Sequence, residues 1–241
     1  MLNEVTYFRP RIAGPELAVE DAVIKNVNKI VSRAEEKIWL AGSLRIGAGM
    51  PDLLITTYNP RVLKLSQLEL KNYRVLAYLR MNHCVEFEPL LKIADVSPKK
   101  FSEQMEWLLD HKVIFVRSNR YFLFPVWYEI LPEIIAVEAK VSDWQKAIHQ
   151  ANRNKIFAHR SYVALPEKVA KRIKNQSILK KSGLGLLSVD EENNITLLRK
   201  GRRSVPYVWS YYYQLAFTLA NDQTKNDAIY CSTCDCSSRL P

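Results

Sequence analysis

Cysteine is scarce in this chain, long apolar runs are missing, and acidic residues are outnumbered. Of its 241 residues four are cysteine: Cys84 stands alone, and Cys231, Cys234 and Cys236 crowd the C-terminal tail, which excludes a disulfide framework. The CxxCxC run offers three thiolates where a structural zinc usually takes four ligands, so a reduced, loose tail is expected. No apolar stretch is long enough to span a bilayer, and the opening MLNEVTYFRPRIAGPE lacks the basic-then-apolar layout of a signal peptide. The expectation is a soluble, cytoplasmic protein with no membrane partner. Internal repeats and low-complexity tracts are absent too. His149 and His159 stand in no arrangement with a Ser or Cys nucleophile and are read as surface histidines.

What is present is a chain rich enough to bury a substantial core, with 48% hydrophobic residues. Its 35 Lys and Arg against 25 Asp and Glu leave a formal charge of +10, which favours polyanionic partners such as nucleic acid.

Periodicity divides the chain into blocks. Leu17, Ile24, Val27, Val31 and Ala34 recur at helical spacing and predict a helix over 15–33, with Glu20 inside its apolar arc and Glu16 at the edge of that arc. Glu16 suits the positive end of the helix dipole; Glu20, a turn further in, calls for a cationic partner. A strand over 37–41, a Gly-rich turn over 42–49 and a strand entered through Pro51-Asp52 follow. Over 66–124 the pattern becomes helix 67–81, helix 87–94, a turn, a helix opening at Ser97-Pro98, then strands 113–116 and 121–124 around Arg117-Ser118-Asn119-Arg120. Helix, helix, turn, helix, hairpin is the winged helix-turn-helix order. Alternation of strand 134–141, helix 142–158, strand 161–165 and helix 166–176 then predicts a sheet flanked by helices. A hairpin over 183–189 and 195–198, a Tyr-rich helix over 207–220 and a loose polar tail complete the chain.

Ile135-Ala136-Val137-Glu138-Ala139-Lys140 reads as a buried strand that nevertheless carries a carboxylate and an ammonium on one face, because side chains two apart on a strand point the same way. Asp52, at the mouth of another strand, could bracket a hard divalent ion with Glu138, the Ala139 carbonyl serving as a further oxygen ligand. Lys140 could orient or deprotonate water, or hold a phosphate, and Glu20 could reach the same metal shell. Such a cluster suits phosphodiester hydrolysis, which needs an activated water and neutralisation of charge at phosphorus.

With Pro51-Asp52 after Gly49, Glu138-Ala139-Lys140, an upstream helix bearing Glu20, and Gln150 on the helix after the last motif, the chain resembles the PD-(D/E)XK nuclease superfamily. The resemblance covers residues 15–60 and 130–200. It implies an α/β, restriction endonuclease-like central mixed sheet flanked by helices, and a Mg²⁺- or Mn²⁺-dependent endonuclease acting on DNA. It implies Asp52, Glu138, Lys140, Glu20 and Gln150 as catalytic residues, with Asp52, Glu138, Glu20 and the Ala139 carbonyl on the metal. The two motifs usually lie close together, so the resemblance requires an inserted winged-helix domain between them. The expected division is therefore a nuclease core over 1–65 and 125–220, the insert over 66–124, and a tail over 221–241.

DNA contacts are expected from Lys99 and Lys100 at the start of the recognition helix, from Arg117 and Arg120 at the wing, and from Lys146 beside Gln150. A further basic group, including Lys171, Arg172, Lys180, Lys181, Arg202 and Arg203, could line the approach or form a solvated face. Glu103 and Glu106 share the recognition helix and would repel a DNA backbone, and winged helices also dock proteins. Two rival readings stay open: a non-catalytic winged-helix DNA-binding regulator or assembly protein, and an RNA-cleaving nuclease. The winged helix or the Tyr-rich C-terminal helix could equally serve a homodimer or a protein partner.

Overall fold

The computed structural model describes residues 4–31, 37–69 and 72–234, with side chains as far as Lys225. In chain order the elements are β1 Val5–Tyr7, α1 Glu16–Lys25, β2 Lys37–Gly42, β3 Leu53–Tyr58, α2 Tyr73–Asn82, β4 Cys84–Val85, α3 Phe87–Ala94, α4 Pro98–Asp110, β5 Ile114–Arg117 and β6 Arg120–Leu123. They continue as β7 Glu133–Ala139, α5 Trp144–Asn154, β8 Arg160–Pro166, α6 Glu167–Ile173, α7 Ser177–Ser182, β9 Gly185–Val189, β10 Ile195–Arg199 and α8 Trp209–Cys234. The chain forms two compact units, Met1–Asn59 with Leu131–Tyr211, and Pro60–Ile130 with Tyr212–Pro241.

The first unit is α/β. Its mixed seven-stranded sheet has the order β1-β2-β3-β7-β8-β9-β10, with parallel pairs β1/β2, β7/β8 and β8/β9 and antiparallel pairs elsewhere. Every residue of β3 and β7 is buried, as expected of central strands covered on both faces. Leu53, Ile55, Ile135, Val137 and Ala139 pack on Val19, Ala22 and Val23 of α1. On the opposite face Val163, Leu165 and Leu186 pack on Ala147, Ile148 and Ala151 of α5. Helices of 3.6-residue period and strands of period 2 thus meet on two apolar layers.

The second unit begins with a 3-10 segment, Pro60–Gln67, and carries α2, α3, α4 and a three-stranded sheet of order β4-β6-β5. Pro98 opens α4, where its missing N–H is no loss. Ser97 contributes its carbonyl, which accepts from Phe101 N at 2.9 Å, rather than a side-chain cap. Phe101, Met105 and Leu108 turn the buried face of α4 inward.

Several expectations need correction. The first helix ends at Lys25 rather than running to Arg33: Asn26 leaves helical geometry, its side chain donates to the Ala22 carbonyl at 2.9 Å, and a 3-10 turn follows. Arg33 and Ala34 lie outside the described residues. The second helix starts at Tyr73, and Gln67 belongs instead to the 3-10 segment Pro60–Gln67. Strand β1 and helix α7 were not foreseen, being only three and six residues long. His159 is no surface residue: it is 7% exposed, and its Nδ1 accepts from Ile134 N at 3.0 Å beside the start of β7. The chain beyond Asn221 is not a loose tail as far as Cys234, since α8 continues through it with no glycine or proline to stop it. Asn221 and Thr224 bond back to the carbonyls of Phe217 and Ala220, both at 2.8 Å. Cys236 and the side chains of Cys231 and Cys234 lie outside the described residues.

The compact units also extend the 66–124 block on both sides and add 212–241 to it. Trp127 explains part of this. It is 1% exposed, its indole donates to Lys112 O at 3.1 Å, and its own carbonyl accepts from Tyr213 Oη at 2.9 Å.

Candidate active site

Strands β3 and β7 pair antiparallel with Leu53 opposite Val137, so one more step of the same register sets Asp52 against Glu138. Asp52 Oδ2 accepts two hydrogen bonds there, from Ala139 N at 2.8 Å and from Lys140 Nζ at 3.1 Å. The backbone of Lys140 stays tied to the sheet through Ala164 O at 3.1 Å, while its ammonium also donates to Glu16 Oε2 at 3.0 Å and Ala139 O at 2.8 Å. Three hydrogen bonds satisfy all the donors of an ammonium that is almost entirely buried.

The two charged side chains of this strand do not stay together. Glu138 turns to α5, where Asn154 Nδ2 donates to Oε1 at 2.6 Å, whereas Lys140 turns to Glu16 at the start of α1. β7 ends at Ala139, so strand alternation no longer governs Lys140. Glu138 is 1% exposed, and its Oε2 has no hydrogen-bond partner.

Electrostatics follow from this crowding. Burial, with the charge of Asp52 next, pushes the Glu138 carboxyl up to about 8, against the opposing pull of Asn154, Lys140 and Arg153. Glu20 is also raised, by burial and then by Asp52, although Arg11 lies 3.5 Å from it. Burial opposes the charge of Lys140, but Asp52 and Glu16 outweigh it and hold its pKa above the ordinary lysine value. These neighbours favour the protonated form of Lys140.

Of the sequence-predicted residues, Asp52, Ala139 and Lys140 are in direct contact, and Glu138 and Glu20 both feel the charge of Asp52. Gln150 makes no bond to them. It lies one turn before Asn154, with Oε1 buried and unpaired, in a cleft lined by Arg9, Arg45 and Arg153. Lys146 is exposed near the start of α5, where its backbone N–H is capped by Asp143 at 3.0 Å. Lys99, Lys100, Arg117 and Arg120 belong to the second unit; Lys100 is paired with Glu69, and Arg120 lies 3.8 Å from Glu86. Sequence reasoning assigned Glu16 to the helix dipole alone and missed Asn154. Its spacing of four from Gln150 was the available signal, since that spacing puts both on one helix face.

The donor set fits a hard divalent cation. Asp52, Glu138, Glu20 and the Ala139 carbonyl are oxygen ligands of the kind Mg²⁺ and Mn²⁺ prefer, and Glu138 Oε2 is a buried acceptor with no partner. Among the described residues no three acidic, His or Cys side chains already close on one point, and the Lys140 ammonium lies against Asp52, Glu16 and Ala139 O. No protein-family model matches the chain, nor does any curated protein or solved structure.

Proposed function

We propose that the chain is a Mg²⁺- or Mn²⁺-dependent DNA endonuclease with a PD-(D/E)XK-type site. The observation that carries this reading is the contact of Asp52 Oδ2 with both Ala139 N and Lys140 Nζ, at the register position facing Glu138. Two motifs far apart in sequence are thereby joined through one carboxylate oxygen. Asp52, Glu138, Glu20 and the Ala139 carbonyl would hold the ion. A divalent cation at such a site supplies an activated water and neutralises charge at phosphorus. Asn154 fixes one oxygen of Glu138 and leaves the other buried without a partner, where it could accept a cation. Lys140, kept protonated by Asp52 and Glu16, would stabilise the negative charge that develops on the phosphate oxygens.

The first unit, a mixed sheet with α1 on one face and α5 on the other, supports a restriction endonuclease-like core. The second unit supports an inserted winged helix: α2, β4, α3, α4, then the β5–β6 hairpin, with β4 paired to β6. Within it, Lys99 and Arg117 carry no ion pair among the described residues and would be available to backbone phosphates. The test is nicking of supercoiled plasmid with Mg²⁺ or Mn²⁺. Side-by-side duplex, branched and single-stranded DNA and RNA would define the substrate. Full activity in Asp52→Asn would sink the reading.

A second reading, a DNA-binding regulator with an idle core, draws on the same lysine. Its ammonium forms ion pairs with both Asp52 and Glu16. DNA binding with no cleavage under any divalent ion would favour it.

A further inference from the structure

Beside the acidic cluster, three segments of the first unit converge on a cleft of about 240 Å³. Arg9 comes from the chain just after β1, Arg45, Ala48, Gly49 and Met50 from the β2–β3 loop, and Gln150 and Arg153 from α5. None of these lining residues is acidic, and among the described residues no carboxylate forms an ion pair with any of the three arginines. Arg9, Arg45 and Arg153 are exposed and line one cleft, so they raise its positive potential and favour an anion there. Gln150 also lines the cleft, with its amide oxygen buried and without a partner.

The cleft is held in shape by its own loop. Ile46 and Gly49 exchange both backbone hydrogen bonds, at 2.9 and 3.0 Å, closing a tight turn that contains Gly47 at φ +56°. Gly49 sits so close to α5 that a Cβ there would lie 2.7 Å from Asn154 Oδ1 and from Phe157 Cε1. Asn154 in turn binds Glu138, and Met50 is two residues from Asp52. An anion in the cleft would thus lie alongside the acidic cluster while remaining separate from it.

We infer that the Arg9–Arg45–Arg153 cleft is the subsite for one backbone phosphate of the nucleic-acid strand that enters the site, flanking the phosphate that reacts. This inference rests on the proposed nuclease reading. Guanidiniums match phosphate oxygens in bidentate geometry, and a diester carries one charge per residue of the strand, which suits a short run of positive side chains beside a negative cluster. The acidic cluster would repel the same strand, so the arginines would set where along it the chain stops.

The test uses the full chain and the double variant Arg9→Gln with Arg45→Gln, leaving Arg153 intact because its charge also acts on Glu138. Both substituted residues are exposed, and circular dichroism checks that the fold is retained. Binding of a labelled DNA duplex is measured in EDTA across a salt series, so that no cleavage contributes. The expected result is an affinity loss of at least about tenfold, matching the loss of charge-assisted hydrogen bonds. The salt slope should fall by about 0.9, the amount for one phosphate. A control variant, Lys25→Gln with Lys29→Gln, removes the same charge elsewhere on the first unit and should weaken binding less. Equal losses in the two variants, or none in the first, would overturn the subsite. In that case plasmid nicking by the wild type would leave the nuclease reading standing. The reverse pattern, no nicking by the wild type but selective loss of binding in the Arg9 and Arg45 variant, would keep the subsite and remove the hydrolytic reading. Titration with inorganic phosphate separates the sources: saturable phosphate binding lost in that variant, with unchanged DNA affinity, would assign the cleft to a free anion and overturn the strand assignment.

Discussion

Glu138 Oε1 accepts a 2.6 Å hydrogen bond from Asn154 Nδ2, while its other carboxyl oxygen is buried and unpaired. A single amide therefore fixes which oxygen is committed to the protein and which is left without a partner.

Removing that amide should be costly. Asn154→Ala leaves Glu138 buried with neither oxygen bonded, and a loss of about 1–3 kcal/mol in stability is expected. Urea unfolding in EDTA measures it. Mn²⁺ affinity should weaken as well, because the carboxylate is no longer oriented, and calorimetric titration with Mn²⁺ reads that directly.

Stability of the metal-free protein should fall as pH rises. The Glu138 carboxyl is at about 8 in the folded chain, well above the unfolded value near 4.3, so the folded state holds a proton that the unfolded state has released. This contribution is fully present below the unfolded value and is lost as pH rises through about 8. Glu20 is shifted in the same direction. Urea midpoints in EDTA should decline across this window, and Glu138→Gln should flatten the decline. Divalent-ion affinity should rise over the same range, since binding requires the ionised carboxylate.

Lys140→Met should reduce cleavage by on the order of 10²–10³, the usual effect of losing one positive group directed at developing charge. The loss should appear in kcat, with little change in duplex affinity measured in EDTA. A rate profile in which activity rises with lysine deprotonation would contradict the cationic role.

Gly49→Ala should damage the site without touching an acidic residue. Its Cβ would press on Asn154 and Phe157, and such overpacking costs about 1–3 kcal/mol. Gly47→Ala meets Tyr211 at 2.3 Å and must also adopt φ +56°, so it should be the more destabilising of the two. Thermal unfolding of the two variants gives the order.

The parts of the site that could be read in the sequence are those carried by local pattern. Asp52 and Glu138 announce themselves as charges at or inside apolar strand runs, and their facing register follows once β3 and β7 are adjacent. Asn154 carried only the weaker signal of its spacing from Gln150, because a polar residue at the end of an amphipathic helix looks solvated until the strand beneath it is known. Glu16 likewise had a sufficient local explanation in the helix dipole, and only the tertiary approach of Lys140 gives it a partner. The arginine cleft draws on positions 9, 45 and 153, whose convergence no spacing rule encodes. His159 was misjudged for a related reason: its imidazole replaces a strand carbonyl as acceptor for Ile134 N, a role fixed by the sheet and not by neighbouring residues.

Thr57 and Glu133 face each other across β3 and β7, so residues 60–130 are synthesised in full between the two halves of the acidic cluster. Glu16, Glu20 and Asp52 leave the ribosome long before the lysine and the asparagine that complete their surroundings. A nascent chain halted anywhere in that interval carries carboxylates without Lys140, Glu138 or Asn154. A chain ended in that interval therefore cannot assemble the cluster, whose two parts meet only once β7 pairs with β3.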